Sequence, residues 1–134
     1  MAKPIYEAPF TVDVTGDRTG ESLQGVFKAK TRLSHRERLL IDQLKRQLLG
    51  PQPAGTMPSE DADSRADAFA NLRVRLTESP SWWMNSNGGI ELVDDNVVTA
   101  VFEKAVQVEV DAINAIKEAA AKAKAELTQE AASK

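Results

Sequence analysis

"TESPSWWMNSNGGIELVDDNVV", residues 77–98, joins the two halves of the chain and decides how they can meet. Two adjacent tryptophans, Trp82 and Trp83, follow a proline. Pro80 favours extended backbone at Ser79, and in extended backbone one of two adjacent rings faces the core while the other faces away. We interpret the pair as closing a corner between the flanking helices. One ring is also a candidate anchor for a partner protein, because tryptophan is common at interface centres.

Downstream of the tryptophans, the chain is predicted to turn and enter a long helix. Asparagine and glycine between Asn85 and Gly89 tolerate the backbone of a sharp turn. Asp94 or Asp95 can then cap the helix. Apolar residues recur in two adjacent stripes, which together predict a broad core face. The first stripe is Val98, Val101, Ala105, Val108, Ala112 and Ala115, and the second is Phe102, Val106, Ile113 and Ile116.

Upstream of the tryptophans, residues 59–76 predict another helix, with Ser59 and acidic residues at its start. Its apolar face comprises Ala62, Ala66, Phe69, Leu72 and Leu76. From Leu72 to Leu76, however, apolar and basic residues alternate as they do in a strand. The helix is favoured because residues 66–70 are good helix formers.

The most strongly marked helix, residues 35–49, begins at the capping box "SHRE". The Ser34 hydroxyl can accept from the Glu37 amide, while the Glu37 side chain reaches back to the Ser34 amide. Leucine and isoleucine then recur at helical spacing. Gly50 supplies the C-terminal cap, and Pro51 prevents continuation.

The N-terminal region, residues 5–32, predicts strands. Apolar and polar residues alternate from Phe10 to Val14, which is the period of a strand. Residues 15–25 are rich in glycine, threonine and aspartate and predict a loop. Alternation resumes at Val26. Because two strands alone are marginal in water, we expect them to pack on helices or on a partner.

The predicted fold class is therefore α+β, with an N-terminal β-hairpin or small sheet packed on about three helices, the last of them long. We assign residues 1–116 to a single globular α+β domain. Residues 117–134, which are rich in alanine, lysine and glutamate, predict a helical extension with little to bury.

The composition excludes several function classes. The chain has 134 residues, enough for one domain, and a formal charge of −3, which argues against a general nucleic-acid binder. It has no cysteine, so disulfides, thiolate chemistry and cysteine-based zinc sites are excluded. No apolar run resembles a signal peptide or a membrane span. We expect a reducing cytoplasm, or a particle assembled there.

The motifs that carry catalysis are incomplete. Gly20 and Gly25 have the Walker A spacing, but Val26 and Phe27 follow where lysine and serine or threonine are needed. His35 is the single histidine, so neither a zinc site nor a Ser-His-Asp triad can be assembled around it. The acidic pairs and clusters match helix N-termini better than catalytic carboxylates or a calcium loop. We predict no enzyme activity, no catalytic residue, no cofactor and no metal site.

Positive charge is concentrated in residues 28–46. With seven basic and two acidic residues, this segment carries +5, whereas the remainder carries −8. Its basic residues are Lys28, Lys30, Arg32, Arg36, Arg38, Lys45 and Arg46. Together with Trp82 and Trp83 they are the candidate partner-binding residues, for an acidic protein surface or for nucleic acid. A third interpretation is a solvated face that the acidic helices balance.

Three segments follow one another in a characteristic order: "GVFKAKTRLSHRERLLIDQLKRQLLG" (25–50), "VRLTESPSWW" (74–83) and "GGIELVDDNVVTAVFEKAV" (88–106). A strand runs into a capped, leucine-rich helix, a Trp-Trp turn follows, and a Gly-Gly link precedes an Asp-Asp-Asn helix start. Over about residues 25–115, this order resembles small proteins encoded among the head and tail genes of tailed bacteriophages.

The resemblance implies a virion structural protein, such as a capsid decoration or other minor structural subunit. It would reside in the virion and, during assembly, in the host cytoplasm. Its partners would be capsid or tail subunits, it would form a homo-oligomer or occur in many copies, and it would have no membrane partner. The alternative is a tail assembly chaperone that binds the tape-measure protein transiently. A small nucleic-acid-associated protein is a second alternative, and the salt dependence of binding would distinguish it.

Overall fold

The computed structural model describes residues 6–132, and the side chains of residues 6–129. The elements are β1 (Glu7–Thr15), β2 (Ser22–Lys30), α1 (His35–Leu49), α2 (Glu60–Arg75), β3 (Leu76–Glu78), α3 (Ser81–Met84) and α4 (Asp95–Ala132). A small sheet with helices, the last of them long, confirms the predicted α+β class. Residues 1–5, including the first residue of the predicted strand region, and residues 133–134 of the predicted extension lie outside the described part.

The sheet is antiparallel, with strand order β1-β2-β3. β1 and β2 pair along their whole length, so Ser22–Gly25, which the sequence predicts as loop, belong to β2. The predicted helix over residues 59–76 and its competing strand are both partly right. α2 ends at Arg75, and Leu76 begins β3, where it lies opposite Ala29. The prediction of Leu76 on the helix face is wrong because pairing with β2 outweighs its helix propensity.

α1 has both of its predicted ends. The Ser34 side chain accepts from the Glu37 amide, and the Glu37 side chain accepts from the Ser34 amide. Gly50, with φ +71°, ends the helix, and its N–H donates to the carbonyl of Arg46. α1 packs on α2 through a small cluster in which Ile41, Ala70 and Val74 are buried.

The main core lies between the sheet and the first half of α4. Its buried residues are Val12, Phe27, Ala29, Leu72, Trp83, Val101 and Ala105. Along β1 and β2 the side chains alternate, so that Val12 and Phe27 are buried while Thr11 and Val26 are exposed. The strands therefore pack on helices, as expected for strands that are marginal alone.

α4 is longer than anything that covers it, with 38 residues against 16 in α2. Every side chain from Ile113 to Gln129 is exposed. The predicted core face is therefore wrong at Ile113 and Ile116, although it is right at Val101 and Ala105. α4 continues without a break through residues 116 and 117. None of the helices within residues 6–132 has the length and apolar content needed to cross a membrane.

The loop between β1 and β2 is held against the start of α4. Asp94 is 4% exposed, and its carboxylate accepts from the Arg18 amide at 2.7 Å, the Thr19 amide at 2.9 Å and the Thr19 hydroxyl at 2.6 Å. α4 begins at Asp95, so Asp94 lies directly before the helix, where a cap is predicted. The hydrogen bonds of its carboxylate, however, go to the loop between β1 and β2. The capping interpretation of Asp94 is thus corrected: this side chain joins the hairpin to the helix.

Candidate functional site

The tryptophan pair lies in α3, a single helical turn, so the extended backbone proposed for it is wrong. The residue before the turn, Pro80, is extended, with φ −68° and ψ 161°. Both rings face Phe27 of β2 edge-on, with centroids 5.6 Å away for Trp82 and 5.7 Å for Trp83. Edge-to-face pairs add about 0.5–1.5 kcal/mol to the burial term. The corner that the rings close is therefore built against the sheet as well as the helices.

Two glycines leave space for this corner, which comprises Gly25, Phe27, Trp82, Trp83 and Gly89 and is called the tryptophan corner below. A Cβ on Gly25 would lie 2.6 Å from Cγ of Pro80, and a Cβ on Gly89 would lie 2.5 Å from the Trp83 ring. Gly25, half of the incomplete Walker A spacing, thus has a packing role.

Anchoring of a partner is compatible with Trp82 but not with Trp83. Trp83 is 3% exposed and offers no surface. Trp82 is half-buried, and its indole N–H donates to the carbonyl of Gln24 at 2.9 Å. The pair therefore serves packing first, and anchoring stays a prediction for the exposed edge of Trp82.

The basic candidate residues lie on β2, on α1 and in the link between them, and most of them face carboxylates. Lys28 pairs with Glu7 and Glu78, Lys30 with Glu37, Lys45 with Asp63 and Asp67, and Arg46 with Asp42. The Arg32 guanidinium lies over the Tyr6 ring, 3.2 Å from its centroid. Four of the seven basic candidates are thus paired with carboxylates within the fold.

Arg32, Arg36 and Arg38 are the basic candidates for which no carboxylate partner lies within residues 6–129. Arg32 lies over the Tyr6 ring, which leaves Arg36 and Arg38 as the two on α1. Because they are two residues apart on α1, they project from opposite sides of the helix. The fold therefore gathers no single positive patch from the candidate residues, which favours the solvated-face interpretation.

Two carboxyl groups within the described residues have pKa values below their ordinary range. The hydrogen bond from Lys30 lowers the pKa of Glu37, and the hydroxyl and amides of the β1–β2 loop lower the pKa of Asp94. Carboxyl groups shifted in this direction are ionised at neutral pH and are poor proton donors there. His35 is exposed at the start of α1. Residues 6–129 hold no cluster of metal-ligating side chains.

A cleft of about 440 Å³ lies between α2 and α4. Its apolar lining consists of Ala68, Phe69, Ile90, Leu92, Val98 and Phe102, and its charged lining of Asp61, Arg65, Asp95 and Glu103. Arg65 joins the two helices by an ion pair to Asp95 at 3.2 Å. Further along, Arg75 of α2 forms an ion pair with Glu109 of α4, and both side chains are largely buried. α2 therefore lies beside α4 from Asp95 to Glu109.

The cleft is suited to apolar side chains of another protein. The larger share of its lining surface is apolar, and Ser64, Thr99 and Glu103 are among its polar residues. Two shallower depressions share Phe69 and Ile90 with it and extend the apolar surface to Leu48 of α1.

Beyond the cleft, α4 carries a line of apolar side chains that we call the bare stripe. It consists of Ile113, Ile116, Ala120, Ala123 and Leu127, spaced alternately three and four residues apart. Its large side chains are 41%, 65% and 67% exposed at Ile113, Ile116 and Leu127. Aligned aliphatic residues at heptad spacing are typical of a helix that packs on another helix. The spacing of these residues is visible in the sequence, but the exposure of their side chains is not.

The free edge of β1 is closed to strand addition. Pro9 has no N–H to offer a neighbouring strand. The carbonyl of Thr11 accepts from Lys104 Nζ at 2.6 Å, and that of Thr15 accepts from Asn96 Nδ2 at 2.9 Å. Contacts with partners are therefore expected through helices.

In comparisons with known proteins, no family model matches the chain, and no curated protein or solved structure is significantly similar to it.

Proposed function

We propose that this chain is a non-enzymatic structural subunit of a tailed-phage virion, either a capsid decoration protein or another minor structural protein, that acts by protein–protein contacts. The bare stripe carries the proposal. It exposes Ile113, Ile116 and Leu127 on one long helix, and aligned exposed apolar side chains mark surfaces that proteins use to meet other proteins.

The two parts of this proposal have different support. The contact role rests on geometry: an uncovered helix face, an apolar cleft and a protected strand edge. The assignment to a phage particle rests on the resemblance of about residues 25–115 to the products of head and tail genes.

A tail assembly chaperone that binds the tape-measure protein is the alternative, and the cleft favours it. An apolar groove beside two helices is the kind of site that receives an amphipathic helix of a client. A chaperone would hold that helix transiently and be absent from the finished particle.

The nucleic-acid alternative has less support. Phosphate binding needs cations that are free to neutralise phosphate, whereas Lys28, Lys30, Lys45 and Arg46 face carboxylates. Of the candidate residues, Arg32, Arg36 and Arg38 remain, and the last two lie on opposite sides of α1, so the footprint is small.

The deciding experiment is mass spectrometry of purified particles from the source, with this chain quantified against the major capsid and tail proteins. Stoichiometric presence supports the structural subunit, and the copy number indicates the capsid lattice, a tail ring or the portal vertex. Abundance in infected-cell lysate with absence from particles would overturn it in favour of the chaperone. Absence from both would contradict the phage assignment.

A matched pair of variants tests the contact surface within the same experiment. Ile116→Asp adds a negative charge to the bare stripe, and Ala115→Asp adds the same charge one residue away, about 100° around the helix. Incorporation into particles should fall for Ile116→Asp and stay near the parent level for Ala115→Asp. Equal incorporation of both variants would show that the stripe is not the contact surface.

A further inference from the structure

The bare stripe continues the face of α4 that lines the cleft. Phe102, Val106 and Ile113 follow at spacings of four and seven residues and so lie on one side of the helix. Phe102 lines the cleft, and Ile113 begins the bare stripe. Cleft and stripe therefore form one apolar band, of which α2 flanks only the first part, up to Glu109.

We propose that a second copy of this chain covers the band, with the two α4 helices antiparallel about a two-fold axis between Ile113 and Ile116. In this register Ile113 of each copy lies level with Ile116 of the other. Leu127 of each copy then lies level with Phe102 of the other, so that the end of each bare stripe covers the other cleft. The paired segments, residues 102–127, extend over about 38 Å.

The charges beside the band favour this register. Glu103 on the cleft rim and Lys124 beside the stripe are both exposed. In the antiparallel pair, Lys124 of one copy comes within one helical turn of Glu103 of the other, at both ends of the interface. A parallel pair would place each Lys124 beside its own counterpart and leave both clefts uncovered. Opposite charges flanking a helix seam select orientation in this way.

A two-fold pair is also the arrangement that closes on itself. Each copy contributes the same band, so no part of the band is left to recruit a third chain. The inference rests on the proposed contact role of the bare stripe, but not on the presence of the chain in a virion.

Sedimentation equilibrium of the purified full chain tests the pair. We expect a concentration-dependent dimer, with association weakened at least about tenfold by Ile116→Asp and unchanged by Ala115→Asp. Circular dichroism checks that both variants keep the parent helix content. A parent chain that stays monomeric, or a dimer that Ile116→Asp leaves intact, would overturn the proposal.

Cysteine crosslinking tests the orientation, because the natural chain has no cysteine to interfere. Glu103→Cys and Lys124→Cys are made as separate variants and treated with a short bismaleimide. In the antiparallel pair, neither variant should crosslink to itself, since like positions lie about 35 Å apart for residue 103 and about 28 Å apart for residue 124, whereas a mixture of the two should crosslink. Crosslinking of either variant with itself, or no crosslinking in the mixture, would refute the antiparallel register.

The two proposals fail separately. If the chain is monomeric but mass spectrometry finds it in particles, the dimer proposal is wrong and the virion proposal stands. If the chain forms a dimer but is absent from both particles and lysate, the dimer proposal stands and the virion proposal is wrong.

Discussion

The two halves of α4 carry the same kind of apolar periodicity, but among the described residues apolar side chains are buried only in the first half. In the first half, Val97, Val101 and Ala105 are fully buried in the body. In the second half, Ile113 and Ile116 stand in solvent. Periodicity specifies which residues share a helix face, but burial needs a second element of sufficient length. The sheet and α2 end before α4 does, so the remaining apolar face is exposed.

The packed half is held most tightly at the tryptophan corner, and the largest expected effect lies there. Trp83→Ala removes a ring that is 3% exposed and packs against Phe27 and Gly89. We expect a loss of about 3–5 kcal/mol in the free energy of unfolding, measured by urea denaturation. The control, Met84→Ala, changes a neighbour that is 62% exposed, and a comparable loss there would contradict the assignment of the stability to the ring.

A smaller but still large effect is expected from Gly89→Ala. The new methyl group meets the Trp83 ring in a backbone with φ +89°, so strain and overlap combine to about 2–4 kcal/mol. Gly55→Ala is the matched control, because Gly55 has φ +79° and nothing within 4 Å of an added Cβ. The difference between the two unfolding free energies isolates the contact with the ring, and equal losses would rule it out.

The junction of hairpin and α4 should depend on pH. The Thr19 hydroxyl and the loop amides lower the pKa of Asp94, so its ionised form stabilises the fold above the unfolded pKa of about 3.9. That contribution is lost as pH falls through the lower folded pKa. Asp94→Asn should be less stable than the parent at neutral pH, and the difference should narrow in acid.

Urea denaturation at a series of pH values below about 5 checks this expectation. Asp17→Asn, which changes an exposed carboxylate of the same loop, serves as the control. A stability difference between parent and Asp94→Asn that stays constant across the series would contradict the role of the Asp94 carboxylate.

The smallest effect on stability is expected in the uncovered half. Residues 117–129 are helical and exposed, so deletion of residues 117–134 should change the free energy of unfolding of the monomer by no more than about 0.5 kcal/mol. Chemical denaturation at low protein concentration measures this. Loss of cooperative unfolding in the shortened chain would show that the extension is part of the folded body.

Much of the fold is predictable because it depends on local rules. Three such features depend only on residues that are close to one another in the sequence. They are the capping box at Ser34 and Glu37, the end of α1 at Gly50 and the strand alternation around Val12. Local rules miss the shorter loop and the helical turn of the tryptophans, and they give the strand at Leu76 only as a competing signal, since each depends on a partner distant in sequence. Gly25 lies against Pro80, and Leu76 lies opposite Ala29, each far away in the sequence.

The candidate site was predictable only in part. The charges of residues 28–46 are visible in the sequence, but their pairing with Glu37, Asp63 and other carboxylates is decided by the fold. Likewise, the apolar spacing at Ile113 and Ile116 predicted a core face, and the tertiary structure exposed it.

The sequence by itself determined the class of the fold, the two ends of α1, the approximate start of α4 and the periodicity of the apolar face of α4. These features follow from capping and alternation, which are properties of neighbouring residues. Only the tertiary structure decided that the tryptophans pack on the sheet, that Asp94 binds the hairpin loop, and that half of the α4 stripe is bare. These outcomes depend on the relative lengths and placement of elements far apart in the chain, which no local pattern records.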